Sequence, residues 1–161
     1  VIHPLLPAEG PPQLAGADLV PGTVMARRQV HLTREVFQGF AAVSGDAHPL
    51  HYDAAYAKSH GLRAPIAHGL LLVAITALGA TPLSAQLHDS MVAMLGTQAR
   101  FISPAYEGDR VDVSLTVLEI QPKSRNRCVA AFEVKVERGA ELLASVQHQF
   151  MLRFSREEAA A

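Results

Sequence analysis

Apolar residues recur along this chain with two different periods, and the change of period divides it. Beyond residue 90 the period is two and β-branched residues collect, so 91–102, 110–121, 127–137 and 142–154 predict four strands. The breaks between them, at Pro104 with Gly108 and Asp109, at 122–126 and at 138–140, carry the residue types of hairpin connections. Before residue 90 the spacing is helical. Val36, Phe37, Phe40 and Val43 fall on one helical face behind Thr33, whose hydroxyl suits a cap, and Gly45 supplies the stop. Pro49 bars a further helix until Asp53, which predicts a cap for a short helix over 54–59 closed by Gly61.

A third helical stretch begins at His68 and Gly69 and runs through Leu70, Leu71, Leu72, Val73, Ile75 and Leu78 towards Pro82. It is apolar all round, which predicts a central helix wrapped on every side by other structure. Residues 23–32 read as one more strand. The expected fold is therefore α+β, a five-stranded, largely antiparallel sheet curled round one central apolar helix. Residues 1–22 hold five prolines and three glycines, so they are expected to form an extended N-terminal arm. That leaves 23–154 as the folded domain and 155–161 as a frayed tail.

Length and composition narrow the function. A chain of 161 residues that is 49% hydrophobic and 18% charged is one domain with a real core. Its net charge of −1 offers no footprint for a polyanion, so nucleic acid is not an expected partner. The longest apolar run, 69–80, falls short of the ~20 residues a spanning helix needs, so no membrane is expected either. One cysteine, Cys128, and a start without a basic, then apolar, leader make a reducing, cytoplasmic setting the expectation.

The densest polar stretch in the apolar half is Ser44-Gly45-Asp46-Ala47-His48-Pro49-Leu50-His51-Tyr52-Asp53. Five residues at about 100° each put Asp46 and His51 well apart on a helix, and an odd separation puts them on opposite faces of a strand. A turn with Gly45 at its start and Pro49 inside brings the carboxylate and the imidazole together, the arrangement for holding and deprotonating a water. The same residues also suit a polar loop in which Asp46 and Asp53 are caps. His48, His51 and Asp46 form a His-x-x-His set with a carboxylate, but Pro49 removes the regular helix that presents such ligands, and no metal is expected. Downstream, Pro65-Ile66-Ala67-His68-Gly69 opens the central helix, where free N–H groups favour an anionic oxygen and Gly69 permits close approach. His68 reads as a packed or hydrogen-bonded loop histidine with a structural role.

The run from Phe40 to Ala57, with its Ser-Gly-Asp-x-x-Pro-Leu-His core, resembles the signature of the MaoC-like, R-specific enoyl-CoA hydratases and β-hydroxyacyl dehydratases. Pro-Ile-x-His-Gly and Phe101-Ile102-Ser103-Pro104 followed by Gly108-Asp109 match in order, so the resemblance covers 23–154. It implies a hot-dog fold, a homodimer, and reversible hydration of a trans-2-enoyl thioester to a 3-hydroxyacyl thioester. It further implies Asp46 as base, His51 as the group that orients the water and exchanges a proton with substrate, and the Gly69 N–H as donor to the thioester carbonyl, worth ~3 kcal/mol in an enolate-like transition state.

Ser44, Gly45, His48 and Pro49 are expected to support the loop. The family carries Asn in the place of His48, and several members carry Ser on the central helix where this chain has Ala77. Phe40, Val43, Leu70, Leu71 and Ala77 are expected to line an acyl pocket, and Lys123, Arg125 and Arg127 to meet coenzyme A phosphates. No cofactor is expected beyond coenzyme A or acyl carrier protein as part of the substrate. The rival readings are a hot-dog thioesterase and a non-catalytic acyl-thioester-binding protein.

Overall fold

The computed structural model describes residues 10–156. Five strands, β1 (Val24–His31), β2 (Met91–Phe101), β3 (Arg110–Lys123), β4 (Arg127–Arg138) and β5 (Glu141–Arg153), form one sheet in the order β1-β3-β4-β5-β2. Every neighbouring pair is antiparallel. β3, β4 and β5 follow one another as hairpins. The first turn holds Arg125 (φ 57) and Asn126 (φ 50) in the left-handed region and the second uses Gly139 (φ 61), so the chain reverses within a few residues. β1 and β2 sit at opposite edges, and residues 32–90 carry the chain between them.

That crossing segment holds four short helices. α1 (Arg34–Ser44) is capped by the Thr33 side chain, which accepts from the Val36 N–H, and ends at Gly45 with φ 74. α2 (Ala54–Ser59) is capped by the Asp53 carboxylate, which accepts from the Ala55 and Tyr56 N–H groups. α3 (Gly69–Ala74) and α4 (Leu83–Gln86) follow. The period-two rows of the strands point one face inward: Val113 and Leu115 of β3, Phe132 and Val134 of β4, and Val146 and Leu152 of β5 are buried against Phe37, Leu71, Leu72 and Leu83. His148 stands in the same inward row of β5, and both ring nitrogens are satisfied there, Nε2 by Thr76 Oγ1 at 2.8 Å and Nδ1 by Thr97 Oγ1 at 2.9 Å.

Three expectations need correction. The long central helix stops after six residues, because the chain tightens at its end: the Thr76 N–H and hydroxyl both donate to the Val73 carbonyl, and the Arg28 guanidinium takes the Ile75 carbonyl. Ala77 is then extended at ψ 130. Nor is that helix wrapped on every side, since Leu70 is 69% exposed while Leu71 and Leu72 are buried.

The segment after Pro49 is not free of helix either. Pro49–His51 form a 3-10 turn with the proline at its first position, where the missing N–H is not needed.

The described part of the N-terminal segment is not simply extended. Gly16–Asp18 form a 3-10 turn, and the Leu14 and Ala17 N–H groups bond to the Gln86 and Phe154 carbonyls. Gly16 is needed for this approach, because a Cβ there would stand 2.2 Å from Cys128 Sγ. Pro4 and Pro7, like the tail over 157–161, lie outside the described residues. Among the described residues no helix is long and apolar enough to cross a membrane.

Candidate active site

The turn after α1 is built from local hydrogen bonds. Ser44 Oγ donates to the Phe40 carbonyl at 2.7 Å and accepts from the Asp46 N–H at 3.2 Å. Asp46 Oδ1 accepts from the His48 N–H at 3.2 Å, and His48 Nδ1 accepts from the Leu50 N–H at 3.2 Å. The imidazole of His48 therefore caps the 3-10 turn over 49–51. Its ring meets His51 edge-on at 6.3 Å and Tyr56 at 5.7 Å.

The 3-10 turn delivers His51 to its partners. The Ile66 N–H donates to the Leu50 carbonyl at 3.2 Å, and His51 Nδ1 lies 2.6 Å from the Ile66 carbonyl. A carbonyl only accepts, so His51 Nδ1 is the donor, and in the neutral ring the lone pair then lies on Nε2. Ile66 is held in turn by a β-bridge to Tyr106, and the Ala67 N–H donates to the Ala105 carbonyl at 2.8 Å.

One oxygen of Asp46 and one ring nitrogen each of His51 and His68 lie within 4.8 Å of one another. Asp46 is exposed, His51 half-buried and His68 buried. The rings of His51 and His68 stack, with centroids 3.7 Å apart and planes at 26°. His68 Nε2 is 2.7 Å from the Tyr52 hydroxyl, which donates to the Asp46 carbonyl at 2.8 Å. Phe40 packs on the His68 ring at 4.7 Å. Burial first, then the neighbouring His51, pushes His68 below the ordinary histidine value, against an opposing pull from Asp46. Burial, reinforced by the Asp46 charge, pushes the Tyr52 phenol up.

The set of two histidines and a carboxylate invites a metal. A common ion needs lone pairs that converge at about 2.0–2.1 Å from each nitrogen. Nearly parallel rings lying one above the other aim their in-plane lone pairs side by side, so His51 and His68 do not fit a shared ion in this arrangement.

A cavity of about 420 Å³ opens beside His51, lined by Leu50, Ile66, Gly69, Leu72, Phe101 and Ile102 among others. That volume suits a small-molecule chain, and its walls are mostly apolar. Gly69 is the first residue of α3, so no carbonyl of that helix can reach its N–H. The Phe101 ring lies where a side chain at 69 would stand, 2.9 Å from a Cβ there. A side chain at 69 would therefore have to displace the exposed Phe101 ring, and Gly69 leaves its N–H open to a ligand.

The structure brings the Asp46 carboxylate near His51, sets His51 and Gly69 on one cavity, and places Ser44, Gly45, His48 and Pro49 in the turn that carries Asp46. It treats the other expected residues differently. None of Phe40, Val43, Leu70, Leu71 and Ala77 lines the cavity: Phe40 packs on His68, Val43 is 90% exposed, Leu70 points outward, Leu71 is in the core and Ala77 is exposed. The helix from which the last three were placed ends early and turns its flank, not its tip, to the outside.

Lys123, Arg125 and Arg127 form the tip of the β3–β4 hairpin, whereas the cavity lies by the 103–105 loop just before the start of β3. A 14-residue strand separates the two, on the order of 40 Å at about 3.3 Å per residue. In one chain the basic cluster does not reach the cavity.

Sequence reasoning gave Tyr52 no role and read His68 as a packed or hydrogen-bonded structural histidine, without its partner. His68 precedes a helix by one residue and Tyr52 follows His51 by one, and nothing in those spacings shows that their polar atoms meet.

The family model described as MaoC like domain matches residues 18–138. The (R)-specific enoyl-CoA hydratase of Aeromonas caviae is 35% identical over 82 residues, which are 51% of this chain and only 59% of that curated relative. The solved, unliganded R-hydratase of Pseudomonas aeruginosa is 30% identical, covering 92% of this chain and 94% of its own, with a TM-score of 0.68. The solved (R)-hydratase of Aeromonas caviae, described as involved in PHA biosynthesis, is 27% identical over 82% of this chain and 96% of its own, also at 0.68. A monoamine oxidase regulatory protein from Archaeoglobus shares the fold at a TM-score of 0.81 with 23% identity, over 91% of this chain and 98% of its own. The architecture common to the R-hydratases and this chain is the hot-dog fold.

Proposed function

Because the chain belongs to the MaoC-like domain family, we propose that it reversibly hydrates a trans-2-enoyl thioester to a 3-hydroxyacyl thioester. The observation that carries this reading is the approach of the Asp46 carboxylate to the His51 imidazole beside an apolar cavity that also borders Gly69.

A water between the pair donates one hydrogen bond to Asp46 and one to the His51 Nε2 lone pair, which the Ile66 carbonyl keeps free by holding Nδ1–H. As the water oxygen bonds to C3, one proton passes to the pair with Asp46 as base. A proton passes from the pair to C2, so the proton count of the protein is unchanged over the cycle. Negative charge on the thioester oxygen meets the Gly69 N–H. The acyl chain follows the cavity along Ile66, Leu72 and Phe101.

The carrier is coenzyme A or acyl carrier protein, and the residues need no metal or organic cofactor. The setting is the cytoplasm, with a role in fatty acyl metabolism; a lone, buried thiol at Cys128 suits a reducing compartment. A second copy of the chain is the proposed partner. Edge strand β2 presents Val92, Met94 and Leu95 at 45–54% exposure, and Leu70 stands open nearby in sequence to the site.

Purified protein with a short trans-2-enoyl-CoA tests the reading. Loss of enoyl absorbance is expected. Release of free thiol would make the protein a thioesterase, and no change would leave a binding protein. Asp46→Asn keeps the shape but not the base, and hydration should fall by ~10² or more with the fold intact.

A further inference from the structure

We propose that Tyr52 is a positioning residue of the hydration site, its hydroxyl joining the backbone of the Asp46 turn to the imidazole that stacks on His51. This rests on the hydratase reading above and concerns how this chain holds the catalytic pair. The Tyr52 hydroxyl has two partners, the Asp46 carbonyl at 2.8 Å and His68 Nε2 at 2.7 Å. A hydroxyl has one hydrogen. With that hydrogen on the Asp46 carbonyl, the second bond must be donated by His68 Nε2–H. Tyr52 therefore selects the Nε2–H tautomer of His68 and leaves the lone pair on Nδ1.

His68 Nδ1 is buried and has no hydrogen-bond partner among the described residues. A proton there would create an unmatched charge in a buried place, against the face of His51 and between Phe40 and Phe37. The ring is thus held neutral and flat against His51, and unlike His51 it is not among the residues that line the cavity. Asp46 is exposed, and its other hydrogen bonds run to Ser44 and His48 within its own turn. Those bonds shape the turn. The Tyr52 hydroxyl adds a link from the turn to the two stacked rings, beside the direct pull of the Asp46 backbone on His68.

The test compares wild type with Tyr52→Phe on a short trans-2-enoyl-CoA, alongside melting temperature and imidazole 1H–15N spectra of the protein without substrate. Tyr52→Phe should lower kcat about tenfold with KM within about twofold, and melt within a few degrees of wild type. The fixed Nε2–H pattern of His68 should become a mixture of tautomers. In a second pair, His68→Gln keeps an N–H donor near the place of Nε2 and should retain several-fold more kcat than His68→Ala.

An unchanged kcat in Tyr52→Phe, or an unchanged His68 tautomer, would overturn the proposal, as would a loss of kcat explained by loss of folded protein. A wild type without hydratase turnover would overturn the function reading instead. The substrate-free spectra then decide by themselves whether the hydroxyl sets the tautomer.

Discussion

The imidazoles of His51 and His68 lie face to face, 3.7 Å between centroids, with His51 bordering the cavity and His68 buried behind it. A positive charge on either ring opposes one on the other. His51 lines the cavity and His68 does not, and burial with the neighbouring His51 pushes His68 below the ordinary histidine value. A second buried histidine, His148, is also pushed below its ordinary value, chiefly by burial among Thr76, Thr97 and the apolar row of β5.

These two rings make the fold sensitive to acid. For both, the folded pKa lies below the unfolded value of ~6.5, so the unfolded chain binds more protons in mild acid. Their contribution to stability is fully present above ~6.5 and is lost as pH falls through the lowered folded values. Urea midpoints measured from about pH 8 to pH 5 should be flat at first and then fall, and His148→Gln should make the fall shallower. A midpoint independent of pH over that range would refute the assignment.

Asp109 ties the loop behind the cavity to the rest of the fold. Burial raises its pKa, but the Tyr106 N–H and the Arg63 and Arg138 guanidinium groups outweigh burial and hold the carboxyl below its usual range. Arg63 also lies over the Tyr106 ring, 4.0 Å from its centroid. Tyr106 bridges to Ile66, whose carbonyl holds His51. Asp109→Ala should destabilise by about 2–3 kcal/mol, less than a fully buried pair because Arg63 is half exposed. Hydration should fall further than the folded fraction does, since His51 loses its anchor. Denaturant melts and turnover on the same samples check both.

Metal removal should leave activity in place. A water held by a carboxylate and an imidazole needs no Lewis acid, and the stacked rings do not aim at one ion. Turnover after exhaustive chelation is the measurement. Loss of activity restored by an added divalent cation would return Asp46, His51 and His68 to the role of ligands.

Sedimentation should give a mass near twice 17.2 kDa, since β2 leaves one edge of the sheet unpaired with exposed apolar side chains. Replacing Met94 and Leu95 together by lysine should yield the monomer and reduce turnover. A wild-type monomer with full activity would contradict the proposed partner.

The strands were legible in the chain because a period of two is a local property, as in Val111, Val113, Leu115 and Val117 of β3, although the bulge after Val117 and the buried neighbours Leu143 and Ala144 of β5 break it. Caps and stops were legible for the same reason, as Thr33, Gly45, Asp53 and Gly61 act within four residues of where they stand. The length of α3 was not. Apolar residues continue to Leu78, but the helix stops where Thr76 turns to His148, 72 residues away, and Arg28 takes the Ile75 carbonyl.

The site divides in the same way. Gly45 and Pro49 made a turn between Asp46 and His51 legible, because a proline restricts what a backbone can do, but spacing alone left a capping loop equally open and the pairing came from the family resemblance. Only the tertiary structure decided which residues line the cavity, which end of the sheet the basic hairpin occupies, and that Tyr52 and His68 stand behind the pair. Those contacts join segments whose separation along the chain sets no distance in space until β1, β3 and the crossing helices have packed on one core.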